Sequence, residues 1–392
     1  MSTMICAAKR SAIGSFQGTI SNLSAPLIAA PVIQSVLQST KIDPHLVQEV
    51  YMGCVLTAGI GQAPARQAAI FAGLSKAVPC TTVSKVCGSG LKSVMLADLS
   101  IRSGEADVVL AGGMENMSQS PYLVPKIRTG LRMGHGELVD SMIKDGLWDV
   151  YSDFHMGNAT EICVAEHKIT REAQDAYAVQ SYTRAQQAIA ANLFAEEITP
   201  ITLKGRKGEE HFATDEEAAK AQFEKFPTLK PVFKKDGTVT AANASSLSDG
   251  AAALLLASEK AATKHELKPL ARIVAQSQAA QDPTWFTTAP AASIEILLKK
   301  AGLKASDIDA WEINEAFAAV ALVNLNLLKL DPARVNKRGG AIALGHPIGA
   351  SGARILTTLV HTLAQEKLRY GVASLCIGGG EAVSVLVENL NR

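Results

Sequence analysis

The chain has 392 residues, 47% of them hydrophobic and 19% charged, with a formal net charge of +1 from 38 basic and 37 acidic side chains. That composition describes compact domains with large cores, two or three by length, and a charge balance with no basic block argues against nucleic acid as a partner. No apolar run is long enough to span a membrane, and six scattered cysteines without CxxC pairs suit reduced thiols better than disulfides or zinc.

The opening residues, Met1 to Ala8, show neither the charged start and cleavage pattern of a signal peptide nor the Arg/Ser-rich look of a transit peptide, and the chain does not close on a peroxisomal tripeptide. A cytoplasmic location, with no membrane partner and no metal, is the expectation. Residues 1–115 then alternate between strand and helix patterns. Strands are predicted over 4–8, 49–53, 81–86 and 108–111, and helices over 26–38, 64–72 and 88–103. Such alternation predicts an α/β fold with a mostly parallel sheet covered on both faces.

A related plan returns near residue 270. Ile42, Val47 and Val50 share their +5 and +8 spacing with Leu303, Ile308 and Trp311. At nearly the same offset Ser89-Gly90 meets Ser351-Gly352, and Val109-Leu110-Ala111-Gly112-Gly113-Met114-Glu115 matches Leu375-Cys376-Ile377-Gly378-Gly379-Gly380-Glu381 in character. Two duplicated βαβ-type halves are the reading. The first is assigned to residues 1–118, completed by about 241–268, and the second to 269–392. Between them, residues 119–240 are predicted to form an inserted loop domain lying over the catalytic end of the sheets. That insertion carries a strongly helical stretch, 170–191, opened by the capping pattern Thr170-Arg171-Glu172, and a polar piece, 204–235, with little periodicity. Asp236-Gly237 and Asn243-Ala244-Ser245-Ser246 read as turns, and the apolar run 251–257 as a buried strand.

Chemistry concentrates in a few Gly-rich places. Cys87 stands where an apolar β-branched run gives way to Gly88-Ser89-Gly90 and a helix. Free N–H groups at a helix N-terminus favour an anion, the condition that activates a thiol. The same junction also suits a small buried residue at a tight turn, and the stretch alone does not choose. In the second half, His346 lies between Gly345 and Pro347 ahead of Ser351-Gly352, and Cys376 precedes three glycines. By the duplication, the His346 loop is the counterpart of the Cys87 loop. Two thiols and an imidazole converging in a Gly-rich site point to acyl transfer through a thioester.

Five motifs in this order resemble the thiolase family over essentially the whole chain: Val86-Cys87-Gly88-Ser89-Gly90; Gly112-Gly113-Met114-Glu115-Asn116-Met117-Ser118; Asn314-Glu315-Ala316-Phe317-Ala318; Gly345-His346-Pro347-Ile348-Gly349-Ala350-Ser351-Gly352; and Cys376-Ile377-Gly378-Gly379-Gly380. The resemblance implies the thiolase fold, with two halves stacked in α-β-α-β-α layers. It implies Cys87 as the acylated nucleophile, His346 as its proton acceptor, and Cys376 as the acid/base acting on the α-proton of an incoming acetyl group. Asn314 is implied to fix a water for one oxyanion site, and the N–H groups of Cys87 and Gly378 to form the other.

Phe154-His155-Met156-Gly157 resembles the short-chain biosynthetic type of the family, in which His155 and Met156 line a small acyl pocket; ordinary loop packing is the alternative for both. That type joins two acetyl-CoA into acetoacetyl-CoA and CoA, with coenzyme A as substrate and product and no separate cofactor. Residues 118–142 resemble its tetramer-assembly loop, so a homotetramer is expected. Contacts to coenzyme A carried over from the family are Leu147, His155, Ala241, Ala244, Ser245, Leu247, Ala316 and Phe317, with Phe233 against the adenine. Lys220 stands where an arginine is common and Lys225 where a serine is common. Phe286-Thr287 replaces the usual Met-Gly beside the acyl group. A degradative 3-ketoacyl-CoA thiolase and a non-catalytic acyl-CoA-binding relative are the competing readings. A 3-ketoacyl-acyl-carrier-protein synthase would carry histidine in place of Cys376.

Overall fold

The computed structural model describes residues 2–205 and 208–391. Its main strands are β1 (Thr3–Ser11), β2 (Glu49–Gly53), β3 (Cys80–Val83), β4 (Val108–Asn116), β5 (Ser248–Ser258), β6 (Ala271–Ala280), β7 (Ala310–Ile313), β8 (Tyr370–Ile377) and β9 (Glu381–Asn389). Every residue of β4 and of β5 is buried. These runs of Val, Leu, Ala and Gly do not alternate because both faces of the strands are covered. The longer helices are α1 (Ala25–Thr40), α2 (Pro64–Phe71), α3 (Ser89–Ser103), α4 (Met156–Glu166), α5 (Arg171–Ala190), α6 (Ala289–Ala301), α7 (Ala318–Leu328) and α8 (Ser351–Gln365).

The strands run in the order β7-β8-β9-β6-β1-β5-β4-β2-β3. Outward from β1, the pairs β1–β5 and β5–β4 are antiparallel, and β4–β2 and β2–β3 parallel. Outward from β6, the pairs β6–β9 and β9–β8 are antiparallel, and β8–β7 parallel. Where the first half has β3, the second has a single parallel bridge, Trp311 to Val335. The two halves thus repeat one topology, and they join where β1 pairs antiparallel with β6, Thr3 opposite Ile273. The sheet is mixed rather than mostly parallel. A hairpin at the Gly-rich turn sets Ile377 opposite Glu381, and β5 returns from the inserted segment antiparallel to both of its neighbours.

Helices cover the sheet in three layers. On one outer face Ile28, Val32 and Val36 of α1 join Ala68 of α2 against Leu110 and Leu255. On the other, Ile294 and Leu297 of α6 and Ala321 of α7 join Trp311, Val372 and Leu386. Between the halves, Leu91 and Val94 of α3 and Leu356 and Leu359 of α8 pack with Val109, Leu254, Val383 and Val385. This is the α-β-α-β-α stack. The two central helices touch at their first turns, where a Cβ on Gly352 would stand 2.2 Å from the Leu91 nitrogen and one on Gly90 2.8 Å from the Ala353 nitrogen. Glycine at both points permits the approach that sets the N-termini of α3 and α8 side by side.

The segment between β4 and β5 carries α4 and α5, with Thr170 capping α5 by accepting from the Ala173 N–H at 3.2 Å. The polar piece holds an exposed hairpin, Ile201–Gly205 with Gly208–Phe212. No helix among the described residues is long and apolar enough to cross a membrane. The six cysteines are all free.

Candidate active site

The strand expected over 81–86 stops earlier, at Val83, and the chain then turns sharply. Val86 adopts φ 44°, a left-handed conformation that costs a β-branched residue about 1–3 kcal/mol. Ser89, the first residue of α3, holds this turn. It accepts from the Lys85 N–H at 2.8 Å and donates its hydroxyl to the Val86 carbonyl at 2.7 Å. The strained turn delivers Cys87 to a cavity of about 510 Å³. Burial pushes the Cys87 thiol up to about 11, while hydrogen bonds from the N–H groups of Gly378 and of Cys87 itself pull it back.

From the second half, Gly345 at φ 104° swings the chain into the His346 loop. The His346 N–H donates to the Ser246 carbonyl at 3.1 Å. Its ring is fixed at both nitrogens: Nδ1 lies 2.6 Å from Ser351 Oγ and Nε2 lies 3.4 Å from Asn314 Nδ2. Ser351 Oγ donates its own hydrogen to the Pro347 carbonyl at 2.9 Å, so it accepts from Nδ1–H, and Nε2 keeps its lone pair. Burial pushes the imidazole down to about 3, with the Arg354 charge adding to the effect. The ring is therefore neutral near pH 7. Asn314, just past β7, donates its N–H to the Ser374 carbonyl at 3.0 Å, and its Oδ1 is buried without a hydrogen-bond partner.

Cys376 lies near the end of β8, opposite Ala382, and the chain turns back through Gly379 and Gly380, both at positive φ. Burial holds its thiol well above the ordinary range, and the neighbouring Cys87 raises it further. Cys87, His346, Cys376 and Gly378 line the one cavity.

The rest of the cavity is mostly apolar. His155 stacks on Phe233 with ring centroids 4.7 Å apart, and a Cβ on Gly157 would collide with that ring. His155 Nδ1 accepts from the Gly157 N–H at 3.0 Å, which leaves Nε2 to carry the hydrogen, and burial lowers its pKa. Phe233, Phe317 and Phe286 continue edge to face as one aromatic wall. Met156, Leu147, Ala241, Ala244, Ser245, Leu247 and Ala316 also line the cavity. The Ser245 N–H donates to the Ala316 carbonyl at 3.0 Å, and Ala244 bridges to Phe317, which ties the returning chain to the second half.

Two of the expected residues do not line the cavity: Asn314, which meets it only through His346 Nε2, and Lys220. Lys220 bonds to Ser15 and, at 3.0 Å, to Glu217. Its ammonium is engaged by these neighbours rather than by the cavity. Met117, Met142, Ile143, Gly146, Val232, Thr240, Ser246 and Ile348 line the cavity without having been singled out beforehand. Most are apolar or backbone-facing positions that carry no chemical signature. Ser351 stands within a motif, but nothing in the sequence marks it as the partner of His346 Nδ1. No group of three or more His, Cys, Asp or Glu among the described residues is placed to hold a metal ion.

An arrangement of two thiols, a neutral imidazole and converging N–H groups on a duplicated α/β scaffold is that of an acyl-transfer enzyme. The family profile described as "Thiolase, N-terminal domain" matches residues 3–260, and "Thiolase, C-terminal domain" matches residues 267–389. The chain belongs to the thiolase family. It is 51% identical to acetyl-CoA acetyltransferase 1 of Arabidopsis thaliana over 98% of this chain and 93% of that one. It is also 51% identical to acetyl-CoA acetyltransferase of Pseudomonas aeruginosa, over 97% of this chain and 98% of that one. To acetyl-CoA acetyltransferase A, mitochondrial, of Xenopus laevis it is 50% identical, over 99% of this chain and 92% of that one.

Proposed function

We propose that this protein is an acetyl-CoA C-acetyltransferase that joins two acetyl-CoA into acetoacetyl-CoA and free CoA, reversibly, through an acetyl-cysteine. The observation that carries the reading is the convergence of Cys87, His346, Cys376 and the Gly378 N–H on one cavity. Near-full-length identity to acetyl-CoA acetyltransferases supports it.

In the first half-reaction His346 Nε2 takes the Cys87 proton. The sulfur attacks the acetyl carbonyl, and the C–S bond to CoA breaks as the Cys376 thiol gives its proton to the departing CoA sulfur. In the second, the Cys376 thiolate so formed removes an α-proton from a new acetyl-CoA. The resulting carbanion attacks the acetyl-Cys87 carbonyl, the C–S bond to Cys87 breaks, and the His346 imidazolium hands its proton back to the Cys87 sulfur. The N–H groups of Cys87 and Gly378 hold the oxyanion at the Cys87 thioester. At the other thioester, Nε2–H of the His346 imidazolium and a water fixed by Asn314 donate to the enolate oxygen. A base with a raised pKa suits Cys376, because a proton beside a thioester is only weakly acidic. These side chains carry every proton and acyl transfer, so coenzyme A enters as substrate and product and the proposal includes no cofactor or metal.

In this reading the pantetheine arm lies against Leu147, Leu247, Ala244, Ser245 and Ala316, all of which line the cavity. Phe286, 2% exposed, with His155 and Met156 confines the acyl end to short chains. The proposal extends to a homotetramer, supported by the exposed Tyr122, Ile127, Met133 and Leu138 of the 118–142 segment. It extends also to a cytoplasmic location, supported by six unpaired thiols. CoA-dependent loss of acetoacetyl-CoA enolate absorbance, beside a six- to ten-carbon 3-ketoacyl-CoA, tests the reading. Turnover of the four-carbon substrate alone is expected. Preference for the longer chain would make the enzyme degradative, and turnover of neither would leave an acyl-CoA-binding protein.

A further inference from the structure

We propose that Glu115 is a positioning residue for this reaction: its carboxylate carries the His346 loop against the half of the molecule that holds Cys87. This rests on the reading of His346 as the proton acceptor of Cys87.

Glu115 is fully buried near the end of β4, opposite Gly250 of β5. Among the described residues no lysine, arginine or histidine forms an ion pair with it. A buried carboxylate without a cation is costly unless its oxygens are fully used as acceptors. Here they are used on two loops. Oε2 accepts from the Val55 N–H at 3.0 Å and the Gly349 N–H at 2.9 Å, and Oε1 accepts from the Leu56 N–H at 3.1 Å and faces Cys54 Sγ at 3.6 Å. Val55 and Leu56 follow β2 in the first half; Gly349 is three residues past His346 in the second. One side chain therefore fastens loops from both halves.

The contact surface is stripped of side chains to allow this. A Cβ on Gly113 would lie 2.1 Å from the Gly349 carbonyl oxygen, one on Gly53 2.6 Å from it, and one on Gly349 2.6 Å from Glu115 Oε2. Ile348, between His346 and the clamped Gly349, lines the cavity and packs in one apolar cluster with Leu56, Met117 and Cys87. The clamp thus sets the separation between imidazole and thiol. Glu381, which the sequence match sets against Glu115, instead opens β9, the counterpart of β5, and pairs with Lys85.

The test is a series at one position. Glu115→Gln keeps an oxygen for Val55 and Gly349 and gives up the bonds to Leu56 and Cys54. Glu115→Ala removes all four acceptor contacts, and Glu115→Asp, the variant to use if the alanine form does not fold, withdraws the carboxylate by one methylene. Misplacement of a catalytic group by about 1 Å costs on the order of 100-fold in rate. The expected pattern is kcat for acetoacetyl-CoA thiolysis within about threefold of wild type for Gln, about 10-fold down for Asp and about 100-fold down for Ala, with KM changed by less than about threefold. Alkylation of Cys87 by iodoacetamide, followed by mass, should slow in the same order, because the same imidazole assists it. Wild-type kcat and alkylation in the Ala or Asp variant, a loss confined to KM, or a Gln variant as impaired as Ala would each overturn the proposal. If wild-type enzyme turns over no acetoacetyl-CoA, the proposed function fails, and the alkylation series still decides the role of Glu115.

Discussion

Ser89 and Ser351 occupy equivalent places in the two halves, each the first residue of a central helix and each donating its hydroxyl to a carbonyl three or four residues back. What each accepts differs. Ser89 takes the N–H of Lys85 and so holds a strained backbone turn that exposes a thiol, whereas Ser351 takes Nδ1–H of His346 and so holds a ring in one tautomer. The comparison shows how duplication supplies an active site. One loop-to-helix junction, used twice and brought face to face by Gly90 and Gly352, presents a nucleophile from one copy and its base from the other.

The largest test of this division removes the nucleophile. Cys87→Ala is expected to lower kcat by at least about 10⁴-fold and to leave CoA binding, measured by calorimetry, intact. Next, Cys376→Ser should still form the acetyl-enzyme, seen by intact mass, while condensation falls by about 10³-fold, since a hydroxyl is a far poorer acid/base there.

The two serines break the comparison directly. Ser351→Ala frees the His346 ring and should lower kcat about 10- to 100-fold at nearly constant KM. Ser89→Ala should act mainly on stability, by about 1 kcal/mol in urea unfolding, because only backbone partners are lost.

His346 also predicts an acid dependence. Its folded pKa, near 3, lies below the unfolded value of 6.5, so the unfolded chain binds the extra proton. The stabilisation is present above pH 6.5 and is lost as pH falls towards 3. His346→Asn should flatten that part of the stability profile measured by urea unfolding between pH 7 and pH 4.

The smallest effect sharpens specificity. Phe286→Ala opens the aromatic wall and should shift the ratio of kcat/KM for six- over four-carbon substrates upward by about 10-fold.

Much of this site was legible in advance. Cys87, His346 and Cys376 are marked in the sequence because each stands within two residues of a glycine, a setting that a buried apolar core does not need. The matching of Ser89-Gly90 with Ser351-Gly352 was legible too, since a helix crossing needs small residues at fixed places. Other features were hidden for physical reasons. Val86 reads as strand because it is β-branched, and only its neighbours' hydrogen bonds reveal the left-handed turn. Strand direction is not encoded in apolar composition, so the mixed sheet was missed. Lys220 carries the right charge for a phosphate, but its position relative to Ser15 and Glu217 is a property of the folded chain. The clamp at Glu115 depends on loops 60 and 234 residues away.

The most direct test of the central claim is mass spectrometry of the protein after brief incubation with acetyl-CoA, followed by peptide mapping. One added acetyl group per chain is expected, located on Cys87, absent in Cys87→Ala and discharged by free CoA. An acetyl group mapped to Cys376 instead, or acetoacetyl-CoA formation undiminished in Cys87→Ala, would contradict the claim.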